Sequence, residues 1–308
     1  MGCLQGTAVF FFNLFLALCT LPVYIFAKLS LCLAMCRPLP PNSCRSRAVL
    51  SSICFAWRCA LALSCWVKKD YSGIHEFRSE LGNTGLPSVI LANHTSFMDT
   101  IVLVAMTPLA HVSRVKMFVS GHLQKMPILG TLVNVMGHLV VPFKSKGAEG
   151  GHEVDKEKMA ERQKELHDHV SSGGIAAWFP EGTMNREGGQ HLQTFRAGGF
   201  TLAVSVDVEI WCVAMQGQAI CWPPNASVGG RPSAIGARIF RLCDSSHALL
   251  RDRGIDLNNE REASLFLANY AHDQMQKRVD DLIAEGYGEH ASTDCSESLL
   301  QSESVSNA

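Results

Sequence analysis

The sequence predicts an α/β protein, a mostly parallel, helix-covered sheet preceded by an apolar helical membrane region. Three observations predict it. After Tyr71, strand-like runs alternate with helix-like ones, the order that a parallel sheet with crossover helices requires. Before Tyr71 lie two long apolar stretches. The charged fraction is 18%, below the roughly 25% of ordinary soluble domains, and the deficit is concentrated at the N-terminus.

These features divide the 308 residues into a membrane-associated helical region (1–70), one α/β domain (71–285) and an acidic, serine-rich tail (286–308) expected to be disordered. Lys plus Arg number 27 and Asp plus Glu 28, so nothing in the charge balance suggests a nucleic-acid surface. Eight of the 12 cysteines precede residue 70, in spacings that suit neither a zinc site nor a small disulfide scaffold. They are expected to act as small apolar residues. The opening Met1-Gly2-Cys3-Leu4-Gln5-Gly6 departs from the myristoylation pattern at Gly6.

Taken in order, Thr7 to Phe26 is almost wholly apolar, broken by Asn13, and is long enough to span a bilayer. Ala48 to Val67 is a second apolar stretch with Arg58 near its middle. An arginine there is costly in lipid unless it finds a partner, which suits the return arm of a shallow hairpin. Basic residues flank the second stretch on both sides, so charge does not decide its topology. Strands are expected near 88–92, 115–119, 138–143, 174–179 and 208–214, and helices near 98–106, 125–135, 154–171 and 197–205. His152, His167 and His169, on or before the charged 154–171 helix, are expected to be solvated. Residues 221–232 form a turn-rich connection. Asn259 to Ala284 reads as a long amphipathic helix, with Leu265, Tyr270, Met275, Val279, Leu282 and Ile283 available for packing.

Two stretches carry chemistry. Asn93-His94-Thr95-Ser96-Phe97-Met98-Asp99 joins an apolar strand to a helix. Five positions along one regular helix would turn two side chains about 140° apart. His94 is therefore expected in the turn and Asp99 in the first helical turn, where a carboxylate can hold the imidazole in one tautomer. The second stretch, Trp178-Phe179-Pro180-Glu181-Gly182-Thr183-Met184-Asn185-Arg186, follows another strand and lies in a loop at its carboxyl end, where open α/β sheets bind ligands. Alone, each has a plain reading: a structural hydrogen bond for the first, a loop with a capping threonine for the second.

Together, Asn-His-x4-Asp and the later Phe-Pro-Glu-Gly-Thr resemble the glycerolipid acyltransferase family, which includes the 1-acylglycerol-3-phosphate acyltransferases. The resemblance runs from about Ser88 to Met215. Lys116, Pro127, Gly130, Gly137 and Leu139-Val140-Val141 keep the outline of the family's middle block, and Phe195-Arg196-Ala197-Gly198 keeps its fourth. Four positions depart from the pattern: the basic residue Lys144 falls one place late, Met184 stands where arginine is usual, and Glu209 and Cys212 stand where prolines are usual.

The resemblance implies direct transfer of an acyl group from acyl-CoA to the hydroxyl of 1-acylglycerol-3-phosphate, giving phosphatidic acid. His94 would be the general base and Asp99 its orienting partner. Glu181, Gly182 and Thr183 are implied in acceptor binding, with Lys144, Arg186 and Arg196 as phosphate contacts and Lys146 as a further basic candidate. No metal or bound cofactor is implied; acyl-CoA enters as the donor substrate. The partners are membrane lipids and lysophosphatidic acid or a related lysophospholipid, with no nucleic acid. The setting is a membrane, the endoplasmic reticulum or another internal one, with the catalytic domain facing the cytosol. Three alternatives stay open: another lysophospholipid as acceptor, an inactive lipid-binding or scaffold protein with altered walls at Met184, Glu209 and Cys212, and a hydrolase. The last lacks a Gly-x-Ser-x-Gly elbow.

Overall fold

The computed structural model describes residues 3–36, 44–142, 155–186 and 189–288. Two long helices, α1 (Cys3–Cys36) and α2 (Cys44–Leu63), lead into β1 (Val67–Ser72) and α3 (Ile74–Glu80). The centre of the domain follows: β2 (Ser88–Ala92), α4 (Phe97–Met106), α5 (Leu109–Val112), β3 (Val115–Ser120), α6 (Gly121–Gln124), α7 (Pro127–Met136) and β4 (Leu139–Val141). Then come α8 (Lys156–Ser171), β5 (Ile175–Trp178), a short 3-10 turn at Ala197–Gly199, α9 (Thr201–Ser205), β6 (Glu209–Gln216) and α10 (Gln218–Cys221). The domain closes with β7 (Ser233–Cys243), α11 (Ser246–Asp252) and α12 (Glu260–Ala284).

The seven strands form one sheet in the order β1-β7-β6-β2-β5-β3-β4, parallel except where β7 runs against β6. β2 sits between β5 and β6 and is buried along its whole length, which is why Ser88–Ala92 reads as a continuous apolar run and not as an alternation. Successive residues still serve opposite layers. Ile90, Ala92, Trp211, Val213 and Met215 join one core, with residues of α1, α2, α4 and α7. Val89, Leu91, Ile210, Cys212 and Ala214 join the other, with α8, α9 and α12. Because β2, β5 and β6 are parallel, Ala92, Trp178 and Gln216 end on one edge.

Several details differ from the expectations. The second apolar helix starts at Cys44 and stops at Leu63, and Val67 instead opens a strand that pairs with β7. Both strands went unread, since β1 is an edge strand carrying Lys68, Lys69 and Asp70 and lacks the run of a buried one. Asn259 caps α12 by accepting from the Glu262 amide. Leu265 on that helix is exposed; its packed face is built from Ala263, Leu267, Ala268 and Ala271 as well as Met275, Val279 and Leu282. His169 is not simply solvated, because its Nε2 meets the Arg114 carbonyl at 2.8 Å. Burial lowers its pKa. His152, Lys146 and residues 289–308 of the tail lie outside the described residues.

α1 and α2 are both long and apolar enough to cross a membrane. α1 exposes Phe10, Phe11, Leu18, Leu21 and Phe26, among others, a surface that water does not favour. Some of their polar residues tie the two helices to each other and to the domain. Asn13 Nδ2 donates to the Gly229 carbonyl at 2.9 Å, and Trp57 Nε1 to Thr20 Oγ1 at 3.2 Å. Arg58 donates through Nε to the Ala105 carbonyl and through a terminal nitrogen to that of Thr107, both at 2.6 Å. These carbonyls belong to the C-terminal end of α4, whose last turn has no intrahelical donors for them. The arginine that is costly in lipid thus caps the helix that carries Asp99. Phe12 fills the space over Gly230, where an added Cβ would stand 2.2 Å from the Phe12 Cβ.

Candidate active site

At the end of β2 the chain turns through His94 and Thr95 and enters α4 with Ser96 as N-cap; Ser96 Oγ accepts from the Met98 amide at 3.1 Å. Asp99, in the first turn, closes the capping box by accepting from the Ser96 amide at 2.8 Å. The same Oδ2 accepts from the Thr95 amide at 2.5 Å and from His94 Nδ1 at 3.0 Å. Asp99 is fully buried, while the His94 side chain keeps 19% of its surface exposed. Fastening Nδ1–H to a carboxylate that accepts only leaves Nε2 as the nitrogen available to a substrate. The His94 ring also lies flat on Phe179, with centroids 4.1 Å apart and planes 11° apart. The two chemistry-bearing stretches of the sequence therefore meet face to face.

Ser96 is committed elsewhere. Its Oγ donates to the Trp222 carbonyl at 2.5 Å, in keeping with a cap and not a nucleophile.

Glu181 does not open onto a substrate space. It is buried, with Oε1 accepting from the His94 amide at 2.8 Å and Oε2 from the Gln193 amide at 3.0 Å. Burial raises its pKa, against the opposing pull of those two amides. Asn185, also buried, donates its amide to the His94 carbonyl at 2.6 Å and its Nδ2 to His191 at 2.7 Å. The amides of residues 94, 95 and 96 are thus all held by carboxylates, and the carbonyl of 94 by Asn185. The bracing roles of Asn185 and Gln193 escaped the sequence reading. Asn93, quoted there only as a flank, exchanges a pair of hydrogen bonds with the Met215 backbone.

The rim beside this turn is different. Gly182 has φ 73°, and a Cβ there would stand 2.4 Å from Arg196 Nε. The glycine lets the guanidinium lie over the turn, where Nε donates to the Glu181 carbonyl at 3.2 Å. Thr183, Arg186 and Arg196 are all exposed, and Thr183 Oγ1 donates to Gln193 Oε1 at 3.1 Å. Lys144 lies outside the described residues. Lys116, part of the middle block, pairs with Glu165 at 3.0 Å.

A cavity of about 250 Å³ opens beside His94 and Phe179. Its wall is mostly apolar, drawn from α2, α4, β3 and α7, and includes Trp57, Phe97, Val104, Met117 and Leu132. Met184 joins that wall. Glu209 and Cys212 do not line it, which corrects the expectation that they alter the site. Glu209 lies at the opposite end of the sheet, buried, where it accepts from the Gly82 amide and the Thr84 and Ser88 hydroxyls. Cys212 faces the α12 layer.

Residues 71–216 match the Acyltransferase family. Among curated relatives, the chloroplastic 1-acyl-sn-glycerol-3-phosphate acyltransferase BAT2 of Brassica napus is 26% identical over 168 residues, covering 54% of this chain and 42% of that protein. The chloroplastic enzyme LPAT1 of Arabidopsis thaliana is 27% identical over 147 residues, 47% of this chain and 36% of that one. The chain thus spans about two fifths of the length of these relatives. The crystal structure of the 1-acyl-sn-glycerophosphate (LPA) acyltransferase PlsC from Thermotoga maritima superposes with a TM-score of 0.62, covering 91% of this chain and 96% of that one. At 14% identity, the likeness concerns the fold.

Proposed function

Given a chain whose residues 71–216 form an acyltransferase-family domain, we propose that it transfers a fatty acyl group from acyl-CoA to the free hydroxyl of 1-acylglycerol-3-phosphate. The observation that carries the reading is the His94–Asp99 pair, its carboxylate buried and its imidazole lining an apolar cavity. His94 Nε2 removes the proton of the acceptor hydroxyl as its oxygen attacks the thioester carbon. Asp99 holds the ring and stabilises the imidazolium that forms. The tetrahedral intermediate then collapses, the carbon–sulfur bond breaks, and the imidazolium returns the proton to the leaving thiolate. The cavity takes the apolar chain of the donor. The names of the plant relatives support lysophosphatidate as acceptor, and the exposed cations Arg186 and Arg196 suit its phosphate.

Membrane helices fit such an acceptor, whose tail lies in lipid while its hydroxyl sits at the interface. We place the domain on the cytosolic side of an internal membrane, the endoplasmic reticulum being the expected one. Fractionation with protease protection tests this setting, and recovery in a chloroplast envelope would correct it.

The central test uses the full chain in detergent or nanodiscs, with labelled acyl-CoA and a panel of lysolipids. Conversion of lysophosphatidate to phosphatidate that depends on His94 is expected. Transfer only to a different lysolipid would reject the acceptor, and no transfer to any acceptor from a folded sample would reject the reaction.

A further inference from the structure

A second imidazole lines the cavity and has no part in the dyad. His138 stands between Gly137, which ends α7, and β4, and it contributes to the wall beside Met117, Val119, Leu132 and Met136. Its Nδ1 accepts from the Met117 amide at 3.4 Å. That contact assigns the ring proton to Nε2. Burial, and after it the nearby Lys116 ammonium, press its pKa down to about 4, so the ring is neutral at physiological pH. Among the described residues, Nε2 has no hydrogen-bond partner. The side chain is only part-buried, so this donor is open to whatever enters the cavity.

Its place in the sheet says which part of a bound chain it would meet. In the order β2-β5-β3-β4, three strand spacings separate β2 from β4, roughly 14 Å at 4.7–4.9 Å each. With the thioester at His94, the ring faces carbons well along the acyl chain and not those beside the carbonyl.

We propose that His138 is a specificity-determining residue, which favours acyl donors carrying an oxygen substituent on the distal part of the chain, with Nε2–H donating to that oxygen. This rests on the acyl-transfer reading above. The test compares acyl-CoAs of equal length, plain or bearing one hydroxyl at successive positions, with lysophosphatidate as acceptor, in the full-length protein and in His138→Leu. The wild type is expected to favour a distal hydroxyl by about 3- to 10-fold in kcat/KM, the scale of one net hydrogen bond. His138→Leu should bring that ratio to one or below, each protein's plain-chain rate serving as its own reference.

An unchanged ratio in His138→Leu would overturn the proposal. Should that variant fail to fold, the wild-type position scan decides, and a flat profile, or one peaking beside the carbonyl, overturns it equally. Failure of the plain chain to transfer in a folded wild-type sample would instead remove the acyl-transfer reading, and this inference with it.

Discussion

Asp99 and Glu181 are buried and each holds two backbone amides, whereas Thr183, Arg186 and Arg196, close to Glu181 in the chain or in space, are exposed. The first group fixes the His94 turn and Asp99 also the His94 ring; the second leaves charge open to solvent. On the proposed reading, the contrast teaches that reaction type and substrate identity would be held by different means. The imidazole is located by buried hydrogen bonds that tolerate little change, and under the proposed reaction the acceptor would meet side chains that solvent screens.

The sharpest way to break this contrast is at the dyad. His94→Ala and Asp99→Asn should each lower kcat about 10³- to 10⁴-fold with the circular dichroism unchanged. A loss below about tenfold in either would mean the base lies elsewhere. Glu181→Gln comes next, since it turns an acceptor of the His94 amide into a mixed group. It should cost about 1–3 kcal/mol in denaturant unfolding and reduce kcat more than it raises the acceptor KM.

The same residue makes a pH prediction. Burial raises its folded pKa, so the native state holds that proton more tightly than the unfolded chain does. Its contribution therefore favours folding at low pH and declines as pH rises through and just above the ordinary glutamate range. Comparing unfolding free energies of wild type and Glu181→Gln across that window should show this slope in the wild type only.

On the rim, Gly182→Ala should displace Arg196 and raise the acceptor KM about tenfold, with a smaller change in kcat. Arg186→Gln and Arg196→Gln should each raise it about 3- to 10-fold and leave donor KM alone; equal effects on both substrates would erase the distinction between the regions. The smallest effect belongs to Cys212→Ser. It should leave chain-length selectivity as it was, because the residue faces the α12 layer, while lowering stability by about 1–2 kcal/mol.

Much of this was legible where structure is local. β2, β5 and β6 are buried runs that need no partner to be noticed, and the His94–Asp99 spacing encodes a turn followed by a cap, both within one short segment. What escaped depends on distant contacts. Glu181 finds the His94 amide across 87 positions, and nothing in Pro-Glu-Gly-Thr distinguishes a carboxylate aimed at backbone from one aimed at substrate. Glu209, read as an altered wall, proves to bind groups at the far end of the sheet. β7 was hidden behind the turn-rich 221–232 connection, and its run mixes Arg238 and Arg241 with apolar residues because it lies beside an edge strand.

The anchoring of α1 and α2 by Asn13 and Arg58 has a practical consequence for anyone preparing the protein. Cutting the chain after Leu63 to make a detergent-free sample would strip Phe12 from its seat over Gly230 and leave the carbonyls of Ala105 and Thr107 without their donors. It would also remove Leu50, Ile53 and Trp57 from one side of the cavity. Such a fragment would report on a damaged fold, so purification should begin from the whole chain and a choice of surfactant.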